Sequence, residues 1–274
     1  MLNIFTLSWN GIDKLKKLRA SLIPSLEGID YTWFIKDNGS KDNTVAEVST
    51  WGDKVKILPY KDNRQNFSQG VNYCFDAAAP QDQDLVMLLN NDVVFNDTNS
   101  LHTMLDIIQK DSDIGAVGAR LCFTGTSKLQ HAGVVFNPTY NTPMHFRAGQ
   151  ESDPAAEKNR LFQVVTGAVL ITRSEIFRNV WDKNVSGVKG MDESFHWAFD
   201  DVDLCLSIKY NMGKKIVYCG STNIFHEESA TLKKNPANKM FLPHNLKYLF
   251  GKWRQRYIID QDIYTQDPQY NLYL

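Results

Sequence analysis

The sequence predicts an α/β protein built on a mostly parallel sheet with helices on both faces. Three observations carry that expectation. Short apolar runs of strand length alternate with stretches of helical spacing through the first third of the chain. One run, Leu85–Leu89, holds five apolar residues between Asp84 and Asn90, the pattern of a strand buried on both faces. Polar side chains collect just after these runs, where open α/β sheets place their ligands.

The elements follow in order. Residues 2–7 form a first strand, broken by the turn residues of Ser8-Trp9-Asn10-Gly11. Ile12, Leu15, Leu18 and Leu22 share one helical face, with lysines between them, and Pro24 ends that helix. Residues 31–35, aromatic and β-branched, form a second strand that runs into Asp37. Ser40 or Asp42 can cap a helix over 44–51. Val55–Leu58 is a third strand, and the polar stretch 63–72 turns into a helix reaching residue 79. Leu85–Leu89 is the fourth strand.

Thr6 and Ser8, Asp37, and Asn91 with Asp92 therefore fall at strand ends that share one edge. Asp37 can accept the imide N–H of a uracil-type base, or it can cap its own Asx turn. Asp92 offers the hard oxygens that Mg²⁺ or Mn²⁺ prefers, or it belongs to an ordinary Asn/Asp turn.

The second half has its own cluster. Residues 164–171 are strand-like, with Gly167 where the backbone can pass a ligand closely. Asp192, Glu193, Asp200, Asp201 and Asp203 then lie among aromatic residues. Residues 201–210 read as a helix whose N-terminal end favours those carboxylates, and Gly213 closes it. Residues 215–219 form another strand, and His226 beyond it is either structural or a metal ligand beside Asp92.

Composition narrows the classes. A formal net charge of −1 gives no global attraction to nucleic acid or anionic membrane. The four cysteines form no C-x-x-C pair and read as reduced, buried thiols of a cytoplasmic protein. The N-terminal apolar stretch is too short for a signal peptide, and no run reaches the roughly 20 apolar residues of a membrane span.

Taken in chain order, several segments resemble the family 2 inverting glycosyltransferases of the GT-A fold, especially rhamnosyltransferase-like members. Residues 5–10 look like the opening strand and loop, and 36–44 are similar to the D-N-x-S-x-D-x-T nucleoside loop. Residues 63–72 resemble the Asn-rich donor loop and 89–93 the D-x-D-type segment. Residues 115–121, 131–133 and 165–168 look like the middle motifs. Residues 191–204 resemble the acceptor-side segment that ends in a Glu-Asp pair.

The resemblance implies a Rossmann-like GT-A domain over residues 1–230, with 231–274 as a helical extension rather than an independent domain. It implies a nucleotide-sugar site using Thr6, Ser8, Asn10, Asp37, Asn38, Asn63, Arg64, Asn72 and Asn91. It places Mn²⁺ or Mg²⁺ on Asp92 and His226. It makes Asp201 or its neighbour Asp200 the base that deprotonates the acceptor hydroxyl, with Asp192, Glu193 and Trp197 on the acceptor side. Two departures stand out: Asn90 replaces the first Asp of the D-x-D segment, and Asp200 replaces the Glu before the base.

The implied activity is sugar transfer from a UDP- or dTDP-sugar to a hydroxyl of a surface polysaccharide or lipid-linked glycan. Lysines and arginines interleave with aromatic residues in the tail, with an amphipathic helix over 245–259. That pattern suits a packed element with solvated lysines, a lid over the sugar site, a peripheral lipid contact, or a DNA contact. In the DNA case the acceptor becomes a hydroxymethylated base in a phage-type modification system. A nucleotidyltransferase is the rival enzyme class, but residues 8–14 lack its Gly-rich basic loop. An inactive nucleotide- or sugar-binding module is the non-enzyme rival.

Overall fold

The structure is a computed structural model that describes residues 1–59, 66–180, 190–196, 198–227 and 241–273. The expected alternation is present: β1 (Leu2–Ser8), α1 (Ile12–Ser25), β2 (Tyr31–Asp37), α2 (Thr44–Val48), β3 (Val55–Leu58), α3 (Phe67–Ala78) and β4 (Leu85–Leu89). The middle follows as β5 (Val93–Phe95), α4 (Asn99–Lys110), β6 (Ile114–Phe123), β7 (Leu129–His131), β8 (Val134–Phe136), β9 (Pro143–His145) and β10 (Arg160–Phe162). Then come β11 (Val169–Arg173), α5 (Ser174–Asn179), α6 (Asp200–Tyr210), β12 (Lys215–His226), α7 (Leu242–Trp253) and α8 (Gln261–Gln266).

The main sheet runs β10-β12-β6-β11-β4-β1-β2-β3, with β5 on β12 and β7 on β6. Four of the seven junctions along that path are parallel. β11 is inserted antiparallel to both β4 and β6. An apolar run buried on both faces fixes a strand but carries no direction, so this inversion is not visible in the sequence. β8 and β9 form a separate two-stranded sheet.

Each face of the sheet carries its own core. On one, Leu15, Leu18 and Leu22 of α1 and Leu101, Met104 and Ile108 of α4 cover Ile4, Trp33, Met87 and Val217. On the other, Val71 and Phe75 of α3, Leu204 and Ile208 of α6 and Trp253 of α7 cover Phe5, Phe34, Leu88 and Tyr218. Each fully buried aliphatic side chain contributes about 1.5–3 kcal/mol over exposure.

Three element ends differ from expectation. α1 continues through Pro24 to Ser25, because a proline in the last turn forfeits only one intrahelical bond, and Leu26 N–H then closes the helix on the Ile23 carbonyl at 3.1 Å. α2 stops at Val48, where Thr50 and Trp51 tighten the chain with bonds back to Glu47 and Val48. Neither Ser40 nor Asp42 is its cap residue, which is Asn43, yet Asp42 still accepts the Thr44 N–H at 3.1 Å. α7 ends at Trp253 rather than at 259, because Tyr257 turns back to stack on Phe136 with ring centroids 4.1 Å apart.

The tail is part of the packed body. Leu249, Trp253, Tyr257 and Tyr264 are buried in the same core as α6, and Tyr264 stacks on Phe162 at 4.3 Å. All four cysteines are buried and free. Among the described residues no helix is long and apolar enough to cross a membrane.

Candidate active site

The parallel register sets Ser8 beside Asp37 at the carboxyl edge of β1 and β2. Asp37 is 2% exposed. Its Oδ2 accepts the backbone N–H groups of Gly39 and Ser40, both at 3.0 Å, so the Asx turn is real. Its Oδ1 is buried with no hydrogen-bond partner among the described residues. A buried carboxylate oxygen left unmatched is costly, and a ligand N–H satisfies it. The turn is braced from the first loop: Asn10 N–H donates to Ser40 Oγ at 2.8 Å, and Lys41 N–H donates to Asn10 Oδ1 at 2.7 Å. Asn38 N–H donates to the Ser8 carbonyl at 2.8 Å. Buried Lys36 donates to the Asp37 carbonyl at 3.0 Å and to Asn38 Oδ1 at 3.1 Å, and burial lowers its ammonium to about 8.

The next layer comes from β4 and α1. Asn91 Nδ2 donates to Ser8 Oγ at 3.2 Å. A Cβ on Gly11 would lie 2.8 Å from both of those atoms. Glycine here lets α1 start directly against the loop, which carries Lys14 over Asp92. Lys14 Nζ donates to Asp92 Oδ2 at 2.9 Å and lies 3.5 Å from Glu227. On the other side His226 Nε2 is 3.1 Å from Asp92 Oδ1. Burial alone would raise the Asp92 carboxyl, but the hydrogen bond and charge of His226, then those of Lys14, hold it below the ordinary carboxylate value.

Gln130, on β7, decides how the His226 ring presents itself. Its Nε2 donates to the His226 carbonyl at 3.3 Å, which turns its Oε1 toward His226 Nδ1 at 2.7 Å. Nδ1 therefore carries a proton, and Nε2 faces Asp92 and Asn90. As an imidazolium the ring donates from Nε2 to Asp92 Oδ1, the contact that lowers the Asp92 carboxyl; without that proton Nε2 and Oδ1 are two acceptors 3.1 Å apart, and a cation between them takes the proton's place. Two adjacent ligands at about 2.1 Å on an octahedral ion lie roughly 3 Å apart, so the pair fits Mn²⁺ or Mg²⁺. Among the described residues no group of three or more His, Cys, Asp or Glu side chains gathers, so other positions would fall to water and phosphate oxygens.

The paired carboxylates reach this edge through β11. Asn90 N–H donates to the Ala168 carbonyl at 2.9 Å, and Gly167 N–H donates to Asp201 Oδ2 at 2.9 Å. Asp201 Oδ1 accepts from Val202 N–H at 2.8 Å. A Cβ on Gly167 would meet the Asp201 Cβ at 3.0 Å, so the residue type keeps this approach open. Burial, and then the Asp201 charge, push the Asp200 carboxyl up to about 7. Ala198 and Phe199, just before it, have φ of 65° and 67°. Two consecutive left-handed non-glycine residues are strained, and Asn245 of α7 holds the turn by donating to the Ala198 carbonyl at 3.2 Å.

Other expected site residues lie elsewhere. Thr6 is fully buried two residues short of the edge, and its hydroxyl accepts the Trp33 indole N–H at 2.9 Å, so it does not face the cleft. Asn72 turns away from the nucleotide loop: its Nδ2 donates to Met191 O and Glu193 Oε1, both at 2.9 Å, and its Oδ1 accepts from Met191 N–H. It pins the 191–193 segment instead. Asp192 is buried and bound by Tyr248 and Lys252, each at 2.9 Å, so it anchors α7 rather than offering itself to an acceptor. Glu193 is held by Asn72 in the same knot. Asn63, Arg64 and Trp197 lie outside the described residues. Lys14 and Gln130 are the residues sequence reasoning missed. A lysine in the first turn after the Asn10-Gly11 loop is the one local signal for Lys14; Gln130 has none beyond adjoining the His131-Ala132-Gly133 motif.

The fold is that of the GT-A glycosyltransferases. Among solved structures, S. aureus TarS 1–349 superposes with a TM-score of 0.53 at 12% identity, over 83% of this chain and 60% of that one. The mannosyltransferase PcManGT of Pyrobaculum calidifontis, solved with GDP-Man and Mn²⁺, superposes with a TM-score of 0.52 at 10% identity, over 78% and 53%. The chain belongs to glycosyl transferase family 2, whose sequence profile matches residues 4–181. It is 27% identical over 94% of its length to y4gI of Sinorhizobium fredii, of which it spans 28%. It is 23% identical to the N-acetylglucosaminyl-diphospho-decaprenol L-rhamnosyltransferase of Mycobacterium tuberculosis, over 80% of this chain and 76% of that protein.

Proposed function

We propose that this family 2 glycosyltransferase is metal-dependent and inverting, and moves a sugar from a UDP- or dTDP-linked donor to a hydroxyl of a surface polysaccharide or lipid-linked glycan. The observation that carries the reading is the unmatched Asp37 Oδ1 on the same sheet edge as the Asp92–His226 pair. Asp37 Oδ1 accepts the imide N–H of the base, while Ser8 and Asn91 sit toward the ribose. Asp92 and His226 hold the divalent cation, which when bound neutralises charge building on the departing diphosphate.

Asp201 takes the acceptor proton as the hydroxyl oxygen bonds to the anomeric carbon and the diphosphate leaves from the opposite face. Its two bonds from backbone N–H groups fix its orientation. Asp200 lies beside it and accepts the Asp201 backbone N–H at 3.1 Å. The tail, residues 231–274, belongs to the catalytic domain as an extension, and Lys252 and Trp253 in its described part brace α6 through Asp203. The relatives support the acceptor class: one acts on a lipid diphosphate-linked sugar by its name.

The test is a thermal-shift panel of UDP, dTDP and GDP with and without Mn²⁺. A ligand at 100 times its Kd stabilises the folded state by about 2.7 kcal/mol, a rise of several degrees. The expected result is a Mn²⁺-dependent rise with one uracil- or thymine-based diphosphate, lost in Asp37→Ala, with its metal dependence lost in Asp92→Ala. No rise with any nucleotide refutes the donor site.

A further inference from the structure

We infer that Lys14 is a built-in counter-ion of the donor site, which makes binding of the divalent cation conditional on the nucleotide diphosphate. The inference rests on the metal reading above and concerns the order in which charges enter the site.

The geometry is specific. Lys14 sits in the first turn of α1, just after Gly11, where a Cβ would collide with Asn91 and Ser8 at 2.8 Å. Its ammonium holds Asp92 Oδ2 at 2.9 Å while His226 stands 3.1 Å from the other oxygen, Oδ1. Asp92 is therefore bridged between a fixed cation and the imidazole. Glu227 flanks the same ammonium at 3.5 Å, and its backbone N–H ties to the Asp92 carbonyl at 2.9 Å. The Lys14 and Asp92 side chains are 20% and 10% exposed, so water screens their attraction only in part.

Charge counting gives the consequence. Lys14, shared with Glu227 but closer to Asp92, offsets much of the Asp92 charge in the donor-free site. A divalent cation arriving alone at Asp92 and His226 meets a positive charge on the second oxygen of its own ligand. It must displace that ammonium or bear the repulsion. A nucleoside diphosphate reverses the balance, because its oxygens receive both the metal and the Lys14 ammonium, a point-charge phosphate binder. Metal and nucleotide then strengthen one another's binding, and the coupling is reciprocal. The same ammonium stands ready to meet charge on the diphosphate as it leaves.

The experiment is a Mn²⁺ titration followed by the electron paramagnetic resonance signal of the free ion, on wild type, Lys14→Met and Lys14→Gln, with and without saturating UDP or dTDP. In wild type the nucleotide should tighten Mn²⁺ binding by at least about tenfold. In both variants Mn²⁺ alone should bind at least about tenfold tighter than in wild type, and the gain from nucleotide should shrink. Circular dichroism and thermal melts of the variants establish that they fold. Equal Mn²⁺ affinity in wild type and both variants, with an unchanged nucleotide effect, overturns the role of Lys14 and leaves the metal site standing. Absence of Mn²⁺ binding in every protein and condition overturns the metal site and this inference with it.

Discussion

Removing the Lys252 ammonium probes how the tail supports the site. Lys252 lies 2.9 Å from Asp192 Oδ2 and 2.7 Å from Asp203 Oδ1, and the two carboxylate side chains are 1% and 3% exposed. Lys252→Met keeps the length and apolar stem but leaves two buried carboxylates facing one another. Breaking a buried pair by deleting one partner costs about 3–5 kcal/mol. Tyr248, Trp253 and Ser194 N–H still donate to these carboxylates, which argues for the lower half of that range.

The pH dependence has a definite sign. In wild type, burial would raise Asp192, but Lys252, the Ser194 N–H and the Tyr248 hydroxyl together outweigh it and hold that carboxyl below its ordinary value, so its stabilisation is present above the unfolded value and lost as pH falls through the folded one. Asp203 is raised, because burial outweighs Lys252, so it opposes folding as pH rises through its folded value. Without the ammonium both carboxyls rise and protonate at milder acidity. Urea denaturation at pH 7.5 should show a loss of about 3 kcal/mol, falling by at least half near pH 4.5. Asp203→Asn in the Lys252→Met background should recover part of it. A loss below about 1 kcal/mol at pH 7.5, or one flat with pH, refutes the account of Lys252 as the ion that balances this knot.

Further outcomes follow from the geometry. Gly11→Ala places a Cβ against Asn91 and Ser8, and calorimetry should show nucleoside diphosphate binding weakened by about tenfold or more, while the melting temperature moves little. Gln130→Leu frees the His226 ring, and Mn²⁺ affinity in the presence of nucleotide should fall about 10–100-fold with far-UV circular dichroism unchanged. Asp200→Asn should flatten the rise of kcat/KM through pH about 7, whereas Asp201→Asn should lower kcat by at least about a hundredfold. The raised Asp200 carboxyl retains a proton that the unfolded chain has lost between about pH 4 and 7, so its contribution is favourable below that window and lost across it. The stability gain of Asp200→Asn, from urea titrations, should accordingly grow over the same window.

How much of this was legible depended on the range of the interactions. The fourth strand announced itself by an unbroken apolar run and the first three by short apolar, aromatic and β-branched stretches, and Asp37 by its place at the end of one of them, because these signals are local. Thr6 misled because apolar spacing shows a strand but not how far its end protrudes; the Trp33 partner that buries it is 27 residues away. Asn72 and Asp192 misled for the same reason: their partners lie 119 and 60 residues off in sequence. The basic, aromatic tail was ambiguous because charge and ring content do not reveal that Lys252 and Trp253 both turn inward onto Asp203. The contact of Lys14 with Asp92 spans 78 residues and exists only once α1 is docked.

β7 has only three residues, yet two neighbours on it reach different halves of the site. Gln130 holds the His226 ring, and His131 Nε2 accepts the Thr166 N–H at 3.3 Å, one residue before the Gly167 that binds Asp201. β7 pairs with β6 through a bulge that leaves Gln130 as the extra residue opposite the Leu121–Cys122 step, so a slip along β6 moves both side chains and removes both supports together. The His226 ring and the loop that holds Asp201, the proposed proton acceptor, thus share a single register. Changes in the 124–128 turn that shift this short strand should therefore never weaken one function alone. In a library of such turn variants, metal affinity and acceptor turnover should rise and fall in step.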